Sequence, residues 1–332
     1  MSVPVVAFFN NKSGAGKTSL VYHVAWMMSE LGLRVVAADL DPQCNLSAAF
    51  LDEDRLEEVF LSDAEDPLTI RGAIEPLIKG IGDIKGPWLE RIDDNLALII
   101  GDIALSEFED TFSQDWPLCL DRKERLFRVI SAFSRVLQAG AKQMEANVVL
   151  MDVGPNLGAI NRAAFIAADF FAIPLGPDLY SLQGLRNLGP TLGRWHDEWK
   201  ERRERNVAGD IDLPRANMQP LGYVVMQHSV YSSRPVKSYD KWIARIPGDY
   251  RRYIFNQKIP KGTTVHNDHR CLARLKHYRS LMPMAREARK PIFYLKPADG
   301  ALGSHTYAVQ DAFNDFKRLS IRIAQRAGIP IS

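Results

Sequence analysis

The chain has 332 residues, of which 46% are hydrophobic and 25% charged, and its net charge is +2 at neutral pH. This composition predicts a folded protein with a substantial core and argues against an intrinsically disordered chain. The cysteines Cys44, Cys119 and Cys271 are widely scattered, which argues against a disulfide framework or a cysteine metal site. Because we find neither a secretory pattern nor an apolar run of about 18 residues, we expect a soluble protein of the reducing cytoplasm.

The first element is an apolar run, followed by a glycine-rich loop and an amphipathic segment. The run predicts a buried parallel strand, and the segment predicts a helix that ends at Gly32; they read VPVVAFF and SLVYHVAWMMSELG. Between them, Gly16-Lys17-Thr18 completes a phosphate-binding pattern, although Asn11 stands where that pattern has its first glycine. The loop fits the variant KxGxGKT, which begins at Lys12.

A loop of this kind binds nucleotide phosphates through its backbone N–H groups, its lysine and its hydroxyl, the last of which ligates magnesium. The helix N-terminus adds positive potential at the same place. We therefore predict binding of ATP and Mg²⁺ by Lys12, Ser13, Gly14, Ala15, Gly16, Lys17, Thr18 and Ser19.

Carboxylates follow two later apolar runs. LRVVAADLD predicts a second strand that ends near Asp39 and Asp41, and NVVLMD predicts another that ends at Asp152. The carboxyl ends of parallel strands meet at one edge of a sheet, so these side chains should converge with the loop. In nucleotide hydrolases one such carboxylate holds magnesium and another group positions the attacking water, and Asp152 suits the magnesium.

The rest of the chain alternates short apolar runs with helical patterns. A long helix is predicted over RLFRVISAFSRVLQAGAKQ, and further strands are predicted at NLALII, FFAIPL, LGYVVM and KPIFYL. This alternation predicts an α/β fold in which a doubly wound, mostly parallel sheet carries helices on both faces. We expect residues 1–332 to form one P-loop NTPase domain.

Charge is unevenly distributed along the chain. Residues 51–124 contain 20 acidic and 7 basic side chains, whereas residues 251–290 contain 11 basic and 2 acidic ones. We interpret residues 52–124 as a variable acidic region and residues 251–290 as an extended basic region. A chain that segregates charge in this way can present a basic face to an anionic polymer.

Several motifs together resemble one family. KSGAGKT, DLDPQCN and the stretch from MDVGPNLGAINR to LQGLRNLG are similar to the deviant Walker ATPases of the ParA/MinD group, specifically its ParA or Soj-like branch. IFNQKIPKG and RKPIFYLKPADGALGSHTYAV resemble the late strands and last helix of that branch. The resemblance spans nearly the whole chain and is weakest over residues 52–87 and 263–289.

The resemblance implies roles for individual residues. Lys12 would reach across an ATP-bound dimer to the partner's phosphates, and Lys17 would contact the β and γ phosphates. Thr18 and Asp152 would hold magnesium, Asp41 would position the water, and Asp39 would lie outside direct contact with the metal. Lys12, Lys17 and Asp41 are thus the implied catalytic residues. Two departures are Ser13, where the family usually has glycine, and Gly154, where it commonly has proline.

The resemblance also implies partners. An ATP-dependent homodimer would bind nonspecific double-stranded DNA at the nucleoid and release it when a ParB-type partner or cargo adaptor stimulates hydrolysis. This cycle would partition a plasmid or chromosome, or position a protein cargo. Because the loop begins within ten residues of Met1, we expect no DNA-recognition domain before it. The basic region would contact DNA through Arg251, Arg252, Arg270, Arg274, Lys276 and Arg279.

Alternatives on the same scaffold stay open. A membrane-associated MinD-like ATPase would need a C-terminal amphipathic anchor, whereas the apolar stripe of the last helix is more simply explained by core packing. An iron–sulfur reductase would need paired cluster cysteines, which are missing. A small-molecule amidotransferase or ligase is the enzymatic alternative, although we identify no substrate residues for it.

Overall fold

The computed structural model describes residues 2–61, 68–226, 236–278 and 280–331. In this part of the chain eight strands form one sheet. The strands are β1 (Val5–Phe8), β2 (Val35–Leu40), β3 (Glu90–Asp93), β4 (Leu96–Ile99), β5 (Val148–Val153), β6 (Phe170–Leu175), β7 (Gln219–Met226) and β8 (Cys271–Leu275).

The strand order is β3-β4-β2-β5-β1-β6-β7-β8. Only the pair formed by β3 and β4 is antiparallel among these strands, so the predicted mostly parallel sheet is confirmed. Phe8 and Asp39 are both in register with Asp152 on the central strand β5. The end of β1, which begins the phosphate loop, therefore lies beside both acidic strand ends.

Helices cover both faces of the sheet, as predicted. They are α1 (Lys17–Glu30), α2 (Asn45–Phe50), α3 (Glu53–Phe60), α4 (Ile70–Ile78), α5 (Glu109–Leu118), α6 (Glu124–Ile130), α7 (Ala132–Met144), α8 (Ala159–Ala167), α9 (Leu179–Glu204), α10 (Val236–Phe255), α11 (Leu281–Ala288) and α12 (Ser304–Arg326). Short 3-10 helices occupy Ile103–Phe108, Cys119–Asp121, Ile292–Tyr294 and Pro297–Asp299.

The central strands are apolar along their whole length because both of their faces are buried. On β1, Val5 and Ala7 pack into the core beneath α7, α8 and α9, whereas Val6 and Phe8 pack into the core beneath α1 and α12. Side chains alternate between the two faces of a strand, so a continuous apolar run supplies both cores. This explains why the runs predicted the central strands correctly.

The apolar stripe of α12 lies in the core. Four of its residues, Ala312, Phe316, Leu319 and Ile323, are buried, and Val309 and Phe313 pack against them. The helix packs on α1, which confirms the core-packing explanation of this stripe. No helix in the described ranges is long and apolar enough to cross a bilayer.

Some predicted elements were wrong. KPIFYL forms a 3-10 helix at Ile292–Tyr294 rather than a strand, because the Ile292 N–H donates to His23 instead of to a neighbouring strand. The predicted long helix is split at Ser131 into α6 and α7. Strands β3 and β8 were not predicted, and β8 lies inside the basic region.

Candidate functional site

The loop after β1 leaves the first N–H groups of α1 open to a ligand. Gly14 and Gly16 have left-handed backbones, with φ of 71° and 79°, where glycine avoids the strain that a Cβ would bring. Gly16 caps α1 without a side-chain hydrogen bond, and the first turn of α1 carries no acidic residue. Such an N-terminus attracts phosphate groups. Ser13 does not have a positive φ, so this departure from glycine strains nothing.

Lys17 is buried in the loop and faces two carboxylates. Its Nζ lies 3.5 Å from Asp41 Oδ2 and 3.5 Å from Asp152 Oδ1. Both distances exceed the roughly 2.7–2.9 Å of a charged hydrogen bond. The ammonium is therefore attracted by both carboxylates without being tightly bonded to either, and its N–H groups can still be donated to phosphate oxygens.

Thr18 and Asp152 form an oxygen pair that fits magnesium. Thr18 Oγ1 donates to Asp152 Oδ2 at 2.6 Å, and the buried Asp152 Oδ1 accepts no hydrogen bond. Burial raises the pKa of Asp152, although Lys17 and Thr18 oppose the rise. Magnesium in nucleotide sites is held by one or two such oxygens together with substrate phosphates. Among the described residues, no three His, Cys, Asp or Glu side chains form a metal-binding group.

Asp41 is buried at the same site and faces Lys17. Its Oδ1 accepts from the Gln43 N–H at 3.1 Å, so the carboxylate is anchored while Oδ2 faces Lys17. A Cβ placed on Gly154, the residue after β5, would lie 3.5 Å from Asp41 Oδ1. Glycine in place of the family's proline therefore keeps a small residue beside this carboxylate.

The Asp39 carboxylate accepts three hydrogen bonds from neighbouring residues. Its Oδ2 accepts from Ser47 N and from Ser47 Oγ at 2.8 Å each, and its Oδ1 accepts from Asp41 N at 3.2 Å. Burial raises the pKa of Asp39 to about 7, and the charge of Asp152 adds to the rise. A Cβ on Gly101 would lie 2.9 Å from Asp39 Cγ, so glycine is needed there. The metal-related role of Asp39 stays a prediction.

Lys12 is held within its own chain by a residue that the sequence analysis missed. Its Nζ donates to Asp178 Oδ2 at 2.8 Å. Asp178 caps α9 by accepting from the N–H groups of Tyr180 and Ser181; burial alone would raise its pKa, but these bonds and that of Lys12 lower it. An aspartate directly before a helical pattern is a helix-start signal, which could have identified Asp178.

His23 connects α1 to the C-terminal part of the chain. It is buried, and it bonds Ser19 O through Nδ1 at 2.6 Å and accepts from Ile292 N–H through Nε2 at 3.1 Å. Its ring stacks on Phe316 with centroids 4.8 Å apart. Burial lowers the pKa of His23 to about 4, so the ring is neutral. No motif in the sequence predicted this contact.

Two cavities adjoin the loop. A cleft of about 630 Å³ lies over the loop, between α2 and α3 on one side and α11 on the other. A second, smaller cavity of about 100 Å³ lies behind Gly16. Its mostly apolar lining includes Leu20, Met226, Leu275, Tyr278, Met282, Ile292 and Phe316.

The basic region is less available to DNA than its charge count predicted. Arg251 donates to both oxygens of Asp268 at 2.7 Å, and its side chain is 6% exposed. Tyr223 OH donates to the same carboxylate. The prediction that Arg251 contacts DNA is therefore corrected, because a buried, paired guanidinium cannot reach a duplex. Arg252 and Arg274 are exposed, and their contact with DNA stays a prediction.

Other cations of this region have partners within the chain. The Arg270 guanidinium carbon lies 4.1 Å from the centroid of the Phe255 ring. Lys276 Nζ donates to Asp311 Oδ2 at 2.7 Å, although both side chains are more than half exposed. Arg279 lies outside the described residues. The roles of these three cations in DNA binding stay predictions.

Comparison with protein families and curated proteins places this chain in a known family. A family described as an AAA domain matches residues 3–204. Over 185 residues the chain is 30% identical to cell division protein PomZ of Myxococcus xanthus, covering 56% of this chain and 50% of PomZ. Over 203 residues it is 27% identical to a ParA family protein of Mycoplasma genitalium, covering 60% of this chain and 66% of that protein. The chain spans about half the length of the curated relatives that it matches.

Solved structures share the fold. A Cyanothece McdA variant in complex with ATP superposes with a TM-score of 0.62, covering 99% of this chain and 98% of that one. The sequence identity of 14% limits this likeness to the fold.

Proposed function

Because this chain belongs to the ParA-like P-loop ATPases, we propose that it is an ATP-driven switch that binds ATP and Mg²⁺ above residues 12–19 and hydrolyses the nucleotide. The observation that carries this proposal is the placement of Lys17 3.5 Å from both Asp41 and Asp152, beside the Thr18–Asp152 bond. A lysine, a hydroxyl and two carboxylates at an uncapped helix N-terminus form the set that phosphoryl transfer uses.

In this proposal Lys17 donates to the β and γ phosphates, and the backbone N–H groups of the loop bind the remaining oxygens. Thr18 and Asp152 would hold Mg²⁺, which supplies further neutralisation of phosphate charge. Binding of phosphate beside Lys17 replaces part of its attraction to the carboxylates. Because both carboxylates lie 3.5 Å from the ammonium, this replacement loses little electrostatic attraction.

Asp41 is the residue that we assign to positioning the attacking water. Its carboxylate is fixed by the Gln43 N–H and lies beside Lys17, so a water bonded to it would be close to the terminal phosphate.

We propose that the base of the nucleotide enters the smaller cavity. This cavity touches Gly16 and Ser19 of the loop, and most of its remaining wall is apolar or aromatic, with Tyr278 and Phe316 among its residues and Lys276 at its border. An aromatic base binds well in such a lining because stacking and apolar contact tolerate its polar edge. We therefore assign the cavity behind Gly16 to adenine.

Lys12 is proposed to act in the partner subunit of an ATP-bound dimer. In the single chain its charge is satisfied by Asp178 at 2.8 Å, and the lysine side chain is 35% exposed. Transfer of the ammonium from Asp178 to the partner's phosphates would exchange one anion for another. Nucleotide would then join the two subunits, and Lys12 would stabilise charge in the transition state.

We further propose that the ATP dimer binds nonspecific DNA and positions a cargo at the nucleoid, under control of an activating ParB-type protein or cargo adaptor. Support comes from the ParA family relative and from PomZ, a cell division protein. Exposed Arg252 and Arg274 provide cations for phosphates. A dimer doubles every such contact, which can raise weak affinity by roughly two to four orders of magnitude.

The proposal is tested by calorimetric titration of ATP and Mg²⁺ into the full chain. Lys17→Ala should weaken ATP binding by at least about 100-fold, because a buried charged contact to phosphate is lost. Lys258→Ala removes an exposed lysine outside the cleft and should bind ATP normally. Circular dichroism of both variants checks that they are folded. Normal ATP affinity in a folded Lys17→Ala variant would contradict the proposal.

Light scattering distinguishes the proposed ATP-dependent dimer from the amidotransferase or ligase alternative. We expect wild type to dimerise with ATP and Mg²⁺ alone, and Asp41→Ala to remain as an unhydrolysed dimer. A requirement for a small-molecule acceptor before any ATP is consumed would favour an amidotransferase or ligase instead.

A further inference from the structure

Helix α11 forms a wall of the large cleft. Met282, Arg286 and Arg289 follow one another at helical spacing, and all three line the cleft. Leu281 and Ala285 of the same helix are buried in the core shared with α12, and Ala285 also borders the cleft. This core contact anchors α11 beside the cleft.

The arginines of this stripe are not neutralised within the described part of the chain. Arg286 and Arg289 are exposed and form no ion pair or side-chain hydrogen bond there. The next cation, Lys290, differs because its Nζ donates to Asp299 at 2.8 Å. Arg286 and Arg289 therefore keep their full donor capacity, and guanidinium groups match phosphate geometry well.

The cleft as a whole is basic. The charged side chains that line it are the cations Lys12, Lys17, Arg286, Arg289 and Lys290 and the carboxylates Asp41 and Glu53. Asp41 is already close to Lys17. Lys12 and Lys290 are paired with Asp178 and Asp299, so Arg286 and Arg289 carry the remaining positive charge. This charge favours an anionic occupant that extends from the loop toward α11.

Arg289 also has an unusual backbone conformation. Arg289 follows the last residue of α11 in a left-handed conformation, with φ of 51°. Glycine is the usual residue at this position of a helix end, because other side chains are strained there. Arg289 therefore occupies a position where the backbone favours glycine, and it lines the cleft.

We propose that Arg286 and Arg289 are a second set of nucleotide-binding cations, which contact the phosphates of the ATP bound by the loop. The inference rests on the proposed function, and it names the part of the basic region that serves nucleotide rather than DNA. Residues 251–290 would then divide their charge between two ligands, and α11 would close one side of the nucleotide cleft.

The experiment measures ATP affinity of the full chain by calorimetry for Arg286→Ala, Arg289→Gly and the double variant. Each single change should weaken ATP binding by about tenfold, because each removes a charged hydrogen bond to phosphate. Arg289→Gly should not lower the melting temperature, since glycine relieves the left-handed backbone. Its weaker binding therefore cannot be attributed to unfolding.

Lys258→Ala is the control, because Lys258 is an exposed cation of the same basic region that does not line the cleft. It should bind ATP normally. Wild-type ATP affinity in both Arg286→Ala and Arg289→Gly would overturn this inference alone, and weaker DNA binding in those variants would then return both arginines to the DNA face. Failure of wild type itself to bind ATP would overturn the proposed function together with the inference.

Discussion

The phosphate loop and the basic region both place cations beside carboxylates, but at different distances. Lys17 lies 3.5 Å from each of its two carboxylates, whereas Arg251 donates to both oxygens of Asp268 at 2.7 Å. Both pairs are buried. The loose arrangement leaves a cation that a ligand can recruit, and the tight one leaves a cation that supports the fold. A basic residue counted in a sequence is therefore unavailable to a ligand when its own chain both buries it and bonds it tightly, as it does Arg251.

The largest effect should come from breaking the tight pair. Asp268→Asn leaves the buried Arg251 guanidinium without a counter-charge, and loss of one partner of a buried pair costs about 3–5 kcal/mol of unfolding free energy. Urea unfolding of the variant measures this loss. The double variant Arg251→Met with Asp268→Asn removes both charges while the asparagine amide oxygen can still accept from Tyr223 OH, and it should recover part of the loss. A loss below about 1 kcal/mol in Asp268→Asn would show that the pair does not support the fold.

Loss of Lys12 should act on catalysis rather than on folding. Lys12→Ala should retain ATP binding but lose ATP-dependent dimerisation and about 100-fold or more of hydrolysis, since it removes a cation that stabilises transition-state charge in trans. Phosphate release and light scattering measure the two effects.

Asp178→Asn is the matched variant for Lys12, because asparagine still caps α9 while the ion pair with Lys12 is lost. We expect it to dimerise with ATP at least as well as wild type. If Lys12→Ala dimerises and hydrolyses normally, the lysine does not act across the dimer.

His23 should make stability depend on pH. Burial lowers its pKa from 6.5 to about 4, so below pH 6.5 the unfolded chain binds a proton that the native ring does not. The stabilising contribution is complete above about pH 6.5 and declines by about 3 kcal/mol as the pH falls toward 4. The neighbouring Tyr22 has its pKa raised to about 12 and does not titrate in this range.

Urea unfolding of wild type and His23→Gln between pH 4 and pH 7 measures this contribution. The difference in unfolding free energy between the two proteins should shrink as the pH falls, because glutamine cannot take up the proton. A difference that stays constant across the range would mean that His23 does not titrate as its burial indicates.

The smallest effects should come from the exposed cations. Arg274→Ala should change the unfolding free energy by less than about 0.5 kcal/mol, while the logarithmic salt slope of DNA binding falls by about 0.9 for a lost phosphate contact. Asp311→Asn, which releases Lys276 from its partner, should make the slope steeper. Unchanged salt slopes in both variants would remove these residues from the proposed DNA face.

The sequence by itself determined the elements whose signals are local. The apolar runs around β1, β2 and β5 predicted the central strands, because residues buried on both faces must be apolar throughout. The loop motif predicted which residues lie at the N-terminus of α1, since its glycines are required by local backbone conformation at Gly14 and Gly16. Strand direction predicted that Asp152 lies at the same edge of the sheet as the loop, and the pairing of β5 with β1 places it beside the loop.

Tertiary structure alone decided which charges are already paired and which elements close the cleft. Asp178 lies 166 residues from Lys12 and Ile292 lies 269 residues from His23, so neither contact leaves a periodic pattern in the chain. The apolar run at Ile292–Tyr294 forms a 3-10 helix, and its first N–H donates to His23. Arg251 is buried because it pairs with Asp268. Hydrogen bonds and ion pairs depend on distance in space, and composition records the charge of a side chain but not its partner.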